Sequence, residues 1–242
     1  REVRAAGRCL HPNIVTVYEV GEHQGQHYYS MEFVQGHNLA QLVHRQPLPA
    51  HEAAQYLGTI ARAIHFAHQN GTIHRDLKPT NILIDEFDQP RIMDFGLARQ
   101  SQVDPQLTAA GQVLGTPAFM APEQAVCDAD AVGPGTDVYS AGAVLYFLLT
   151  QRAPFVAESL PTLLALVSGP ELPVSPRALN PSVPRDLETI CLKCLEKDRA
   201  GRYRSAQSLA DDLGRFCRNE PILARPPGVT GRAWRWCARN RG

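Results

Sequence analysis

The strongest chemical signal in the chain is the run His74-Arg75-Asp76-Leu77-Lys78-Pro79-Thr80-Asn81, which sets a carboxylate, an ammonium two residues on and a side-chain amide close together. Asp94-Phe95-Gly96 adds a second carboxylate thirteen residues after Asn81, and Ala121-Pro122-Glu123 follows later. Carboxylates accept protons, and carboxylate and amide oxygens are hard donors for divalent cations. Taken singly, Asp76 and Asp94 could equally cap turns. Two other groupings invite a metal reading, and context argues against both. Cys191 and Cys194 form a C-x-x-C with no second pair at zinc-ribbon spacing, inside the amphipathic run Asp186 to Leu195 where Cys acts as a small hydrophobe. His65 and His68 sit among Ile64, Ala67 and an apolar face that suits helix packing.

These groups need elements to position them. Ile14 to Tyr18 and His27 to Val34, separated by a turn over Gly21 to Gly25, give a hairpin signal. From Ala50 to Asn70, apolar residues at Ala53, Leu57, Ile60, Ile64 and Ala67 predict a helix packed on one face, with Gly71 past its end. Asn81 to Ile84 and Arg91 to Met93 form a second hairpin about the turn-rich Asp85 to Pro90, so the reactive run falls on a loop between helix and hairpin. Residues 97–120 show neither period, a length uncommon for a connection without a function. Beyond Glu123 the pattern is mostly helical. Val138 to Leu149 is apolar on all sides and predicts a central helix surrounded by others. Pro-rich stretches at 170–184 and 221–227 mark surface connections. A few strands followed by many helices is an α+β arrangement.

The 242 residues, 44% hydrophobic and 20% charged, suit one large domain or two unequal lobes and exclude a disordered or fibrous chain. The 24 basic residues balance the 24 acidic ones, so no overall field recruits nucleic acid. Six scattered cysteines fit a reducing compartment. The run Val138 to Leu149 is too short to span a bilayer, and the opening Arg1-Glu2-Val3-Arg4 carries neither an initiator Met nor a secretory signal.

The full H-R-D-x-x-x-x-N, followed in order by D-F-G and A-P-E, resembles the signature set of eukaryotic-type protein kinases, and Lys78 marks the serine/threonine variety. Arginine-rich usage, with Lys78, Lys193 and Lys197 the only lysines, together with Gly115 to Gln124 and Cys191 to Tyr203, is similar to the bacterial receptor-like branch. The resemblance implies a two-lobed kinase fold and Mg²⁺- or Mn²⁺-dependent transfer of the ATP γ-phosphate to serine or threonine of protein substrates. That chemistry needs in-line positioning, charge neutralisation on the phosphates and a group to accept the hydroxyl proton. By resemblance, Asp76 orients the hydroxyl and takes its proton, Lys78 approaches the γ-phosphate, and Asn81 and Asp94 hold the metal. His74, Phe95 and Gly96 complete the two motifs. Arg75 would bind a phosphate on the activation loop, with Thr108 as acceptor before Ser101, and Thr116 would bind substrate. Glu123 and Arg202 stand where the family forms a buried ion pair, and Asp137 where a helix-start carboxylate bonds the catalytic-loop backbone. Tyr29 to Val34 resembles the strand entering the hinge: Met31 as gatekeeper, the Glu32 carbonyl and Val34 amide toward adenine, Leu83 beneath the ring. A plain edge strand explains the same residues.

Glu2, nine residues before His11-Pro12-Asn13, matches the helix-C glutamate. Its partner lysine and the glycine-rich phosphate loop should precede it, and only Arg1 does. The expectation is therefore a small-lobe remnant over 1–34, a complete helical large lobe over 35–220 and a tail over 221–242, with weak MgATP binding for these residues alone. Either the chain is an excerpt of an active kinase or it is a kinase-fold docking module. The tail from Gly228, with four arginines, two tryptophans and no acid, resembles a juxtamembrane segment at the cytoplasmic face of a membrane, where it would contact anionic lipid; a solvated tail with a Trp packed on the body is the alternative. The resemblance also admits a dimer for trans-autophosphorylation.

Overall fold

The computed structural model describes residues 10–23, 26–44, 46–95 and 117–224. Glu2, Gly96, Ser101, Thr108, Thr116 and the tail from Gly228 lie outside these residues. Strands β1 (Val17–His23) and β2 (Gln26–Met31) form an antiparallel hairpin with Val20 opposite Tyr29 and an irregularity between Val17 and Glu19. A second sheet joins β3 (Gly36–Asn38), β4 (Ile82–Asp85) and β5 (Pro90–Ile92), all antiparallel.

The first hairpin differs from the sequence expectation. Its leading strand runs over 17–23 and not over Ile14 to Tyr18, and the turn is correspondingly shorter. The cause is burial: Ile14 and Val15 are taken up by the second sheet, where the Val15 amide donates to the Ile92 carbonyl at 2.8 Å and the Ile92 amide to the Asn13 carbonyl at 2.9 Å. An apolar run is a weak guide to its own sheet when another sheet can bury it better.

Helices follow as α1 (Leu39–Leu42), α2 (Ala50–Gln69), α3 (Pro122–Ala125), α4 (Pro134–Thr150), α5 (Leu160–Ser168), α6 (Pro176–Leu179), α7 (Arg185–Cys194) and α8 (Ala206–Cys217). Helix α2 stops at Gly71, whose φ of +72° takes the left-handed turn that an L side chain resists. Its buried face alternates Ala53, Ala61 and Ala67 with Leu57, Ile60 and Ile64, and the small residues let α8 and α4 pack closely. Helix α4 is buried over most of its length, and its buried hydroxyls at 140 and 150 are paired: Ser140 Oγ donates to the Phe119 carbonyl at 2.9 Å and Thr150 Oγ1 to the Tyr146 carbonyl at 2.7 Å. At the far end, the buried Asp212 of α8 accepts from the Tyr203 hydroxyl at 2.9 Å and from the Leu223 and Ala224 amides at 2.7 and 2.8 Å, which ties down the chain after α8. Among the described residues no helix is long and apolar enough to cross a membrane.

The cysteine pair settles into packing. Cys191 and Cys194 are fully buried on α7, and burial pushes both thiols up. Cys191 Sγ lies 3.6 Å from the Gly142 carbonyl of α4, and a Cβ at Gly142 would overlap that of Cys194. Gly142→Ala should therefore force α4 and α7 apart and cost about 1–3 kcal/mol, read as a lower midpoint in urea unfolding.

Candidate active site

After Gly71 the chain enters the reactive run as a loop whose amides at 74, 75 and 76 are each held by a side chain. The fixing group is Asp137, in the first turn of α4 and 0% exposed. Its Oδ2 accepts the His74 amide at 2.8 Å and its Oδ1 the Arg75 amide at 2.9 Å. The His68 Nε2, from the end of α2, donates to the same Oδ2 at 2.7 Å. Burial opposes charge on Asp137, yet these donors hold its carboxyl below the ordinary range, so it works as an anion. From sequence His68 had only a packing role; in the fold it hydrogen-bonds the α4 carboxylate that holds the loop, a partner 69 residues away.

Arg75 has a φ of +69°, a conformation that costs a non-glycine residue of order 1 kcal/mol and persists only where neighbours enforce it. Its carbonyl accepts from Gln124 Nε2 at 2.7 Å, a contact the sequence did not single out. Arg75 Nε is buried with no hydrogen-bond partner among the described residues. The His74 ring is a bridge: Nδ1 accepts the Asp76 amide at 3.2 Å, Nε2 donates to the Met93 carbonyl at 2.9 Å, and the ring meets Phe95 edge-on at 4.6 Å. Those bonds select the Nε2–H tautomer and join the first motif to the second.

Asp76 lies 2.8 Å from Lys78 Nζ. A 3₁₀ turn over Pro79–Asn81, with Pro at its start, swings Asn81 back so that its Nδ2 donates to the Asp76 carbonyl at 2.9 Å and to Oδ2 at 3.1 Å. The Asn81 amide oxygen thus faces away from Asp76. Asp94, with φ +64°, accepts from the Tyr29 hydroxyl of β2 at 3.0 Å. Desolvation and the Asp94 charge both raise the Tyr29 phenol, so it stays a donor.

On the strand side, Met31 and Val34 are half-buried, and Leu83 on β4 pairs with Asn38 and Arg91 in register. The Glu32 carboxylate is turned to Arg91 of β5, whose Nη2 donates to both oxygens at 2.7 Å, and the Glu32 amide donates to the Thr16 carbonyl at 2.8 Å. Arg91 is a second residue the sequence did not single out. Below the loop, Glu123 and Arg202 form a buried two-point pair at 2.8 Å, with Thr136 Oγ1 on Glu123 and the carbonyls of Gly135, Glu196 and Lys197 taking the remaining guanidinium donors.

The donor chemistry suits magnesium. Asn81 and Asp94 supply hard oxygens and too few of them for a closed protein site, and no cluster of three His, Cys, Asp or Glu side chains occurs among the described residues. Mg²⁺ held by one or two protein oxygens and completed by substrate phosphates has this form.

A two-lobed arrangement with a small sheet, a helical body and this loop between them defines the class of protein, and the comparisons agree. The protein kinase domain family matches residues 1–213. The chain is 37% identical to the serine/threonine-protein kinase PknB of Mycobacterium leprae over all of this chain and 39% of that one. It is 36% identical to a probable serine/threonine-protein kinase of Clostridium acetobutylicum over 90% of this chain and 33% of that one. The kinase domain of PknI from Mycobacterium tuberculosis superposes with a TM-score of 0.69 at 26% identity, covering 88% of this chain and 75% of that one. The chain belongs to the protein kinase domain family, of the eukaryotic serine/threonine type with bacterial members. It spans about two-fifths of the length of the M. leprae relative.

Burial alone would raise the Glu123 carboxyl, and its hydrogen bonds to Arg202 more than offset this, leaving it below the usual 4.5. Glu123→Gln should cost about 3–5 kcal/mol in thermal unfolding by stranding a buried guanidinium. Because the folded value is the lower one, the wild-type contribution is whole above pH 4.5 and is lost as acid titrates Glu123 below it, a loss the Gln variant should lack.

Proposed function

We propose that the protein carrying this chain transfers the γ-phosphate of ATP to serine or threonine hydroxyls of protein substrates. The observation that carries the reading is the Asp76 carboxylate held between Lys78 Nζ and Asn81 Nδ2 at 2.8 and 3.1 Å on an anchored loop. Asp76 keeps one face open to solvent, where it aligns the incoming hydroxyl and takes its proton. Lys78 offers positive charge to the γ-phosphate leaving ADP. Asn81 Oδ1 and Asp94 would hold Mg²⁺, which when bound neutralises the phosphate charge. The Glu32 carbonyl and Val34 amide pair with adenine, Leu83 forms the floor and Met31 the rear wall. The Arg91 pair on the Glu32 side chain keeps that backbone in place.

Regulation follows the same chemistry. The buried Nε of Arg75, without a hydrogen-bond partner among the described residues, is a receptor for a phosphate on the activation segment, with Thr108 as acceptor, and Thr116 contributes to substrate binding. Glu2 supports the phosphate side, and the arginine- and tryptophan-bearing tail meets the anionic cytoplasmic face of a membrane.

The test is phosphate transfer from radiolabelled ATP to a generic basic protein substrate, using the protein at its native length. Asp76→Asn and Asp94→Asn should each lower turnover by at least about a hundredfold. Transfer that survives both changes contradicts the reading. For residues 1–242 alone, robust turnover abolished by Asp94→Asn would show that no upstream phosphate clamp is needed.

A further inference from the structure

Arg75 is the one strained residue directly before Asp76, so the geometry of the peptide linking them sets where the Asp76 carboxylate stands. The Arg75 amide is held from below by Asp137 at 2.9 Å. Its carbonyl belongs to that linking peptide, whose N–H donates to His74 Nδ1 at 3.2 Å; a free carbonyl would leave that one longer bond to hold the peptide against rotation and release of the strain. Gln124, on the short helix α3, closes this route. Its Nε2 donates to the Arg75 carbonyl at 2.7 Å while its Oε1 accepts the Ala121 amide at 3.1 Å. Only one orientation of the amide satisfies an N–H on one side and a C=O on the other, so the side chain is fixed at both ends. The residue beside it, Glu123, is locked by Arg202, which gives α3 a rigid seat.

We propose that Gln124 is a positioning residue for phosphate transfer: it holds the carbonyl of the 75–76 peptide while Asp137 holds the amide of the 74–75 peptide, and so fixes Asp76. The clamp couples α3 to the catalytic loop across 49 residues of sequence. It rests on the reading of Asp76 as the group that accepts the substrate proton, and it is tested by one arm that needs no activity.

Gln124→Leu removes both bonds; Gln124→Glu keeps an acceptor for the Ala121 amide and sets an oxygen against the Arg75 carbonyl. Amide hydrogen exchange on each variant should quicken over residues 74–78 and stay at the wild-type rate over α4, whereas a general loss of packing would move both. At native length, both variants should lose about ten- to a hundredfold in kcat with the KM for ATP unchanged. If the Leu variant fails to fold, the Glu variant alone decides. Unchanged exchange over 74–78 overturns the clamp. Faster exchange with unchanged kcat overturns the positioning role and leaves the clamp as structure, and absence of transfer in the wild type overturns the reading of Asp76 instead.

Discussion

One buried carboxylate organises the rest. Asp137 has no solvent, so each of its oxygens must be met by protein, and the partners are the His74 and Arg75 amides and the His68 ring. The exchange is mutual: without the carboxylate those amides would be buried and unsatisfied, at about 1–3 kcal/mol each. Helix α4 carries Asp137 because it is apolar all round and can occupy the centre of the body, which makes it the most fixed reference available to a loop. The loop inherits that rigidity and can hold Arg75 in a conformation it would otherwise leave.

From this anchor the site grows outward by short polar links. His74 passes the register to Met93 and Phe95 and thereby to Asp94. Asn81 turns back on Asp76. Glu123 and Arg202 bind α3 to the loop before α8, a pair whose worth lies less in net stability than in specifying one arrangement, since ion pairs of this kind roughly repay their own desolvation. The two hairpins and the Arg91 to Glu32 pair extend the frame to the strand edge that carries the proposed adenine contacts.

Local signals carried much of this into the sequence. Period 3.6 over 50–70 with glycine beyond it, a uniformly apolar run at 138–149 and turn residues between two short apolar runs each have a cause within a few residues, and the corresponding elements form. The motif residues were visible because several reactive types recur in a fixed order. What stayed hidden depends on distant chain. Ile14 and Val15 look like a strand and are instead buried against β5. His68, Gln124, Arg91 and Tyr29 are ordinary residue types whose partners lie 69, 49, 59 and 65 positions away, so no local pattern could mark them.

Asp137 is the group whose loss should be felt most directly in phosphate transfer. Asparagine at 137 keeps one oxygen and presents an NH₂ where the other oxygen met an N–H, so one side of the hub must let go while the volume is unchanged. Transfer by the native-length Asp137→Asn protein, measured beside its α4 exchange protection, should fall by about ten- to a hundredfold with α4 still protected. Wild-type turnover in that variant, with the helix intact, would contradict the account.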